Sequence, residues 1–518
     1  MRKGLRLGWC GVTLLLMAGC ISRPVWLSPQ SRTIIDRKLV EIPAGYVLRL
    51  AALGLTAPSA ITIVKDEGPY KGSTLVAESG DGGNQPRIYG WKADGSFFNV
   101  YPRGQKLPLV EYVTGRGEIY SPIGGMVAAL GRVFVTHRDA KGRGVVSCVG
   151  FDGSISTVVA DLPAQGDYSL TDITYDSKTG RLYFGLGSAT NSGVVGIDNW
   201  SWITEHPSFS DLPAVEIKLL GYKFFTRNPN AGFFGGDDNV GTAPFHPFGI
   251  SNRLRIQEAP NGKPTSAIYS ISPTGGDLRV EVHGIRLPRG LAFNEYSLLY
   301  ATNNGMELRG TRPVKLDPDV LLKVIQNTWY GWPDYSADLK PISDPLFQEP
   351  ALISRSGYPE LSALIDRAAS KLFDPVAYRD TLVFGIFPSL SGTAKLDFVP
   401  SVGGFKDFRG SAIIAQMGDR APLSNGGMTL KENIGRKILR VDMETKRTEE
   451  FIHNTEGIPA SKLGRNVDAL ERPIDVKFGG DGKLYILDYG RMEIRDGREK
   501  ISAGSGRIFI LEPIEQQP

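Results

Sequence analysis

The sequence predicts an all-β chain folded as a six-bladed β-propeller with long inter-strand insertions, and three observations point to it. Short runs of mostly apolar or β-branched residues recur six times, starting at Thr74, Arg132, Arg181, Leu298, Ala412 and Lys483. Each ends in a polar or glycine loop, and turns such as Lys178-Thr179-Gly180 and Gly480-Asp481-Gly482 precede several of them. The 62 glycines and 34 prolines, with few helical periods, favour many strands and turns over helices.

A second strand follows most of the six runs: Arg87–Asp94, Val145–Asp152, Ala267–Ser272, Lys437–Asp442 and Arg507–Leu511. The closest internal match joins the fourth and sixth units. Leu299-Tyr-Ala-Thr-Asn-Asn-Gly-Met-Glu-Leu-Arg309 lies over Leu484-Tyr-Ile-Leu-Asp-Tyr-Gly-Arg-Met-Glu-Ile-Arg495 with one inserted residue. Turn-rich strands alone would also suit a β-sandwich or a two-domain β protein. A repeated unit favours radial repetition, which leaves only short, protected sheet edges. The uneven spacing requires two excursions from the blades, about 199–263 and 334–377, and loops of that length are usually functional. The first interleaves aromatics, glycines and carboxylates (Ala231–Val240, then Phe245–Gly249), which would suit either a sugar-facing lid or a structured loop packed on the ring. The second has a helical look around Ser354–Leu372, with Leu361, Leu364, Ile365 and Leu372 near one face. The expected organisation is one propeller domain over 41–515.

The N-terminus carries Arg2, Lys3 and Arg6, an apolar run from Leu7 to Met17, then Ala18-Gly19-Cys20. A basic start, an apolar stretch of about ten residues and a small-residue exit is the secretory pattern, too short for a spanning helix of roughly 20 residues. The cysteine after the small pair resembles a bacterial lipobox. The resemblance implies a signal peptide over 1–19, lipidation at Cys20, a polar tether over 20–40, and a cell-envelope protein held to a membrane by its lipid, most simply the outer membrane. Diacyl plus N-acyl chains suffice for stable attachment.

The formal charge of +4 includes the three basic residues of the leader, so the mature body is near neutral, which argues against nucleic acid as a partner. Of three cysteines, Cys10 would be removed and Cys20 lipidated, leaving Cys148 in an apolar strand and no internal disulfide.

Three motifs then carry a family likeness: His283-Gly-Ile-Arg-Leu-Pro-Arg-Gly-Leu-Ala-Phe293, Leu299-Tyr-Ala-Thr-Asn-Asn-Gly305 and Trp329-Tyr-Gly-Trp-Pro333. Together they are similar to the glucose/sorbosone dehydrogenase family, six-bladed propellers that use pyrroloquinoline quinone (PQQ) and calcium to oxidise sugars. Leu287 stands where the family pattern has Asn. Oxidising an alcohol carbon with a quinone needs a base for the hydroxyl proton, cations for the quinone's carboxylates and a metal to polarise its carbonyl. The resemblance implies these roles at Arg286, which would serve as a guanidinium fork beside the quinone, and at Arg472, one member of a cofactor-binding arginine pair whose second position is Ile474. It implies a cation partner near Asp419-Arg420, and calcium on the carbonyls of Gly305 and Met306. The family's catalytic histidine falls at Tyr168, and a tyrosine with pKa near 10 is a poor base at neutral pH; Asp167 or Asp172 would be the substitutes.

Two functions follow. One is a membrane-tethered, PQQ-dependent sugar or alcohol dehydrogenase with a small-molecule substrate. The other is a non-catalytic propeller serving as a binding or scaffold lipoprotein. A lactonase-type hydrolase would need side-chain ligands for calcium at the cavity mouth, for which Asn303, Asn304, Glu307 and Asp488 are available.

Overall fold

The protein is described as a computed structural model covering residues 23–102, 119–229, 238–251, 254–256, 259, 262–348, 361–425, 427, 434–464, 467–495 and 498–514. The expected signal peptide and Cys20 lie outside the described residues, as do 231–237 of the first excursion and 354–360 of the second.

Six sheets, each with four antiparallel core strands, form the ring. Innermost strand first, blade 1 holds Pro58–Ile63, Thr74–Glu78, Arg87–Trp91 and Phe97–Tyr101, and blade 2 holds Tyr120–Ala129, Arg132–Arg138, Gly144–Val149 and Ile155–Leu162. Blade 3 holds Leu170–Asp176, Arg181–Leu186, Ala267–Ile271 and Arg279–His283, and blade 4 holds Pro288–Phe293, Leu299–Asn303, Asp319–Lys323 and Val383–Phe387. Blade 5 holds Thr393–Phe398, Ala412–Gln416, Lys437–Val441 and Thr448–Asn454. Blade 6 takes Pro473–Phe478, Leu484–Asp488 and Gly506–Pro513 from the end of the chain and its outer strand, Tyr46–Leu55, from the beginning. That pairing closes the ring, because the innermost strand of blade 6 packs on that of blade 1.

The runs read from the sequence are apolar on both faces because a blade is covered on both. Along Leu484–Asp488, Leu484 and Ile486 enter the core shared with Ile413 of blade 5, while Tyr485 and Leu487 enter the core shared with Val76 of blade 1. The period of two survives, but each face meets a different neighbour.

Toward the axis the strands come close. A Cβ on Gly290 would sit 2.6 Å from the Ala394 carbonyl oxygen and from Lys395 Cα, and one on Gly125 would sit 2.6 Å from Asp172 Cα. At the axis itself, Lys395 of blade 5 lies 3.3 Å from the Asp172 carboxylate of blade 3 and 3.9 Å from that of Asp475 in blade 6, all three buried. Blades 3 and 6 are opposite one another, so this ion triad fills the centre of the channel.

The matched fourth and sixth units share a construction. The last residue of the second strand, Asn303 or Asp488, accepts the backbone N–H of the residue before the innermost strand: Leu287 at 2.9 Å, and Arg472 at 3.0 Å. Glu78 of blade 1 accepts from Thr56, two residues before its innermost strand, at 2.8 Å, as Asp488 also does from Glu471 at 2.7 Å.

Two expectations change. The segment expected as a loose tether over 20–40 is docked over its described part: Val25 and Trp26 extend blade 6 by pairing with Leu53 and Ala52, Ile35 is buried, and Val40–Glu41 extends blade 5. The described residues from Leu361 to Leu372 form no helix, because Asp334 takes the N–H groups of Leu364 and Ile365 at 2.7 and 2.8 Å and Ile365 bridges to Leu219. The two excursions therefore pack together as one lobe on blades 3 and 4, around Leu219, Phe245, Trp332, Leu364 and Ile365. Phe245 meets Trp332 edge-on at 6.1 Å, so the Phe245–Gly249 stretch is a loop packed on the ring. Among the described residues no helix is long and apolar enough to cross a membrane.

Candidate functional site at the channel mouth

The loops that precede the innermost strands and those that follow the second strands converge at one end of the ring. They bring together Tyr168 from blade 3, Arg286, Arg289, Gly305 and Glu307 from blade 4, Asp419 and Arg420 from blade 5, and Arg472 from blade 6. A cleft open to solvent lies among several of them, lined by Tyr168, Arg289, Asn304, Glu307, Asp319, Asp419, Arg420 and Ser424 among others.

Arg286 is where the resemblance puts it, but its guanidinium serves the protein. The side chain is 2 % exposed. Nε donates to the Asn191 carbonyl at 2.9 Å, and Nη1 donates to the carbonyls of Gly305 at 2.6 Å and Asn304 at 3.3 Å. Nη2 donates to Asn191 Oδ1 at 2.8 Å and to the Tyr168 hydroxyl, with Glu307 3.6 Å away. A buried guanidinium satisfied in this way stitches the loops of blades 3 and 4 together.

Tyr168 is equally committed. Its hydroxyl accepts from Arg286 and from Arg309 Nη2, the latter at 3.1 Å, and burial raises its pKa above the ordinary value of 10. The proposed substitutes are also engaged. Asp167 pairs with Arg309 at 2.7 Å and accepts from Asn199 Nδ2 at 2.7 Å; Asp172 belongs to the axial triad. Arg309 gathers Asp198 and Glu307 as well, at 2.9 and 2.5 Å. Burial and the charge of Asp167 push Asp198 up to about 6, whereas Arg309 and Arg286 outweigh burial at Glu307 and hold it below the usual carboxylate range. Glu307 thus faces the cavity as an anion.

On the blade 5 and 6 side, Arg472 Nη1 donates to the carbonyls of Met417 at 3.2 Å and Asp419 at 2.8 Å, and burial followed by the nearby Arg436 lowers its pKa to about 10. The Asp419 carboxylate pairs with Arg436 at 3.1 Å. Arg420 Nε donates to Glu499 at 2.6 Å. Met306 turns its side chain into the core of the excursion lobe and donates its N–H to Asp317 at 2.6 Å. Asn303 and Asp488 accept from backbone N–H groups ahead of their own blades' innermost strands, and Asn304 Nδ2 donates across to the Thr393 carbonyl of blade 5, so the lactonase-type set does not assemble into one cluster.

Sequence reasoning passed over Arg289, which follows the first residue of the blade 4 innermost strand. Its described hydrogen bond goes to a thioether, Met417 Sδ, at 3.1 Å, and burial, then the like charge of Arg420, lowers its pKa. Ser424, 4 % exposed, has an Oγ with no hydrogen-bond partner among the described residues. The signal for Arg289 was in the motif itself, a charge at the start of a strand that otherwise runs Pro, Gly, Leu, Ala, Phe.

The fit to calcium and quinone can be judged from these contacts. The Gly305 carbonyl, which the resemblance offers to calcium, is occupied by a guanidinium cation, and Arg286 has no fork left for a carboxylate. Among the described residues no group of three or more His, Cys, Asp or Glu side chains is arranged to hold a metal ion. The base position is a buried hydroxyl held by two arginines. The residues at these positions do not fit the calcium–quinone arrangement.

No protein-family model and no curated protein matches the sequence. Among solved structures, a glucose dehydrogenase-type oxidoreductase of Thermus thermophilus is 18 % identical, with 90 % of this chain and 100 % of that one covered and a TM-score of 0.45. The PQQ-bound aldose sugar dehydrogenase of Streptomyces coelicolor is 14 % identical over 91 % and 99 % of the two chains, with a TM-score of 0.47. A protein described as a gluconolactonase is 12 % identical over 93 % and 97 %, with a TM-score of 0.39. The six-bladed β-propeller itself is read from this chain's own six sheets.

Proposed function

We propose that the chain is a small-molecule-binding propeller of the cell envelope, lipid-anchored at Cys20, whose ligand enters the channel mouth and is held there without oxidation. One observation carries this reading. The cavity presents Ser424 Oγ, buried and without a hydrogen-bond partner among the described residues, and Arg289, whose described hydrogen bond goes to a thioether, while the groups needed for calcium-assisted proton abstraction, Arg286, Tyr168 and the Gly305 carbonyl, are tied to one another.

A second reading, quinone-dependent oxidation of a sugar, is favoured by the guanidiniums of Arg289 and Arg420, which both line the mouth and would suit a polycarboxylate cofactor. When bound, PQQ would supply the electron sink for the alcohol carbon. The purified mature chain, given PQQ with and without Ca²⁺ and then a panel of sugars and sugar derivatives, separates the two. The binding reading expects a panel molecule to raise the melting temperature and no quinone absorbance to co-elute with the protein. Co-eluting quinone together with sugar-dependent dye reduction would overturn it.

A further inference from the structure

Resting on the reading of Cys20 as the lipid-bearing residue, we infer that the outward face of the hairpin formed by Met492–Arg495 and Arg498–Ile501 is a docking surface for anionic lipid headgroups, and that the mouth end of the ring is the end nearest the membrane.

The hairpin leaves blade 6 after its second strand, Leu484–Asp488, and so stands at the mouth end. Its register pairs Met492 with Ile501, Glu493 with Lys500, Ile494 with Glu499 and Arg495 with Arg498. Side chains alternate between the two faces of a strand, so successive pairs fall on opposite sides. On the ring side Met492 is buried, Ile494 and Ile501 pack on the core that holds Tyr489, and Glu499 reaches across to Arg420. On the other side Arg495, Arg498 and Lys500 are exposed with Glu493 among them, and Arg491, two residues ahead of Glu493, is exposed as well. Glu493 takes both Arg491 and Arg495, whereas Arg498 and Lys500 have no ion pair among the described residues. Four cations thus stand against one carboxylate on this face, or against two when Asp496 of the turn is counted. The face is basic and carries no buried partner of its own.

A second, independent observation says what covers it. The described chain begins at the foot of this hairpin. A Cβ on Gly54 would sit 3.4 Å from Pro24 Cα, and one on Gly504 would sit 3.9 Å from Gly54 Cα. Gly504 lies just past the hairpin and donates its N–H to Thr56 Oγ1 at 3.0 Å, while the Ser502 N–H donates to the Arg491 carbonyl at 3.0 Å. Arg23 is exposed, with its guanidinium 3.8 Å from the centre of the Phe97 ring. Cys20 precedes Arg23 by three residues, which span at most about 11 Å. A lipid on Cys20 therefore enters its bilayer beside the hairpin. Charges act on headgroups only within a Debye length, about 10 Å, so basic residues at this end of the ring are the ones that add to the hold of the acyl chains.

The test uses the lipidated chain, its N-terminal peptide first weighed by mass spectrometry to count acyl groups, then reconstituted in vesicles containing phosphatidylglycerol. Acetylation rates are compared in vesicles and in detergent at Lys500 and at two lysines of the opposite end, Lys71 and Lys178, which lie in turns between first and second strands. Lys500 should react about fivefold more slowly in vesicles, the preference of one basic residue for an anionic surface. Lys71 and Lys178 should react at the same rate in both. Arg495→Glu combined with Arg498→Glu should return Lys500 to its rate in detergent without moving the melting temperature, because both side chains are exposed. Protection that survives in this double variant, equal rates at Lys500 in the parent, or protection at Lys71 and Lys178 instead would each overturn the inference and leave the anchor standing. An N-terminal peptide without acyl groups would overturn the anchor reading and the inference with it.

Discussion

The Arg286 guanidinium donates to the Gly305 carbonyl oxygen at 2.6 Å. A protein-borne cation therefore occupies a carbonyl that the sequence resemblance offers to a metal ion. The same guanidinium reaches Asn191 from the loop after the second strand of blade 3 and Tyr168 ahead of blade 3, so one side chain sets the relative position of three loops.

Arg286→Ala should destabilise the fold by about 3–5 kcal/mol, because it leaves the buried Gly305 and Asn304 carbonyls without their side-chain donor and removes the cation beside Glu307. Urea denaturation measures this. A loss below about 1 kcal/mol, the net worth of a single ordinary hydrogen bond, would show that these oxygens find other partners and that the side chain is free for a ligand.

Lys395→Met should be comparably severe. It keeps the length of the side chain but removes the cation from Asp172, which then faces Asp475 at the axis; Asp475 keeps Lys477 at 3.1 Å, and burial already raises its pKa. Replacing Lys395 and Asp172 together by apolar residues, which leaves Asp475 with Lys477, should recover much of the loss, since a buried ion pair is not worth more than packed hydrocarbon of similar volume. Chemical denaturation of the single and double variants gives both numbers.

Gly290→Ala should cost about 3 kcal/mol or prevent folding, since its Cβ falls against the backbone of blade 5 rather than against a movable side chain. The equivalent change at Gly410, a turn glycine with nothing within 4 Å of its Cβ, should cost much less, limited to the strain of φ +71°. Thermal melts of the two variants compare them.

Burial raises Asp317 to about 7, against an ordinary 3.8, even though Met306 and Ala337 donate N–H groups to it at 2.6 and 2.8 Å. Between these values the native state holds more protons than the unfolded one, so the stability from this group is complete below about pH 4 and is lost as pH rises through 7. The stability of the parent relative to Asp317→Asn should accordingly be greater at pH 5 than at pH 8. A difference that grows toward high pH would contradict the assignment.

Cys20→Ala should abolish incorporation of labelled fatty acid and release the protein from membranes. Because the chain is docked on blade 6 from Val25 onward, a lipid on Cys20, as proposed, would be separated from the ring by only a few residues. Lengthening that leash with a Gly/Ser insert after Ser22 should leave lipidation intact while increasing protease access to the rim between blades 6 and 1.

Much of the ring was legible in the sequence, and the reason is local. Each second strand is a short apolar run because both of its faces are covered, and Asn303 and Asp488 fall at matching places because each holds the N–H before its own blade's innermost strand. What was not legible depends on pairs far apart in sequence. Tyr46–Leu55 closes blade 6 against Gly506–Pro513, and the triad joins positions 172, 395 and 475 across the ring. The Leu361–Leu372 spacing suggested a helix, but the Asp334 carboxylate and a strand bridge to Leu219 took its backbone groups. At the site, Arg286 and Tyr168 were found as positions, yet their mutual engagement could not be read from spacing, and Arg289 escaped notice because it sits inside a strand motif read for its apolar residues.

The most direct test is equilibrium dialysis of the mature chain against micromolar labelled Ca²⁺, with and without PQQ. If the Arg286 guanidinium holds the Gly305 corner, no stoichiometric calcium is retained in either condition. Retention of one calcium per chain in the presence of PQQ would show that Arg286 yields the Gly305 carbonyl to the metal, and would contradict the account of this propeller as a binding protein.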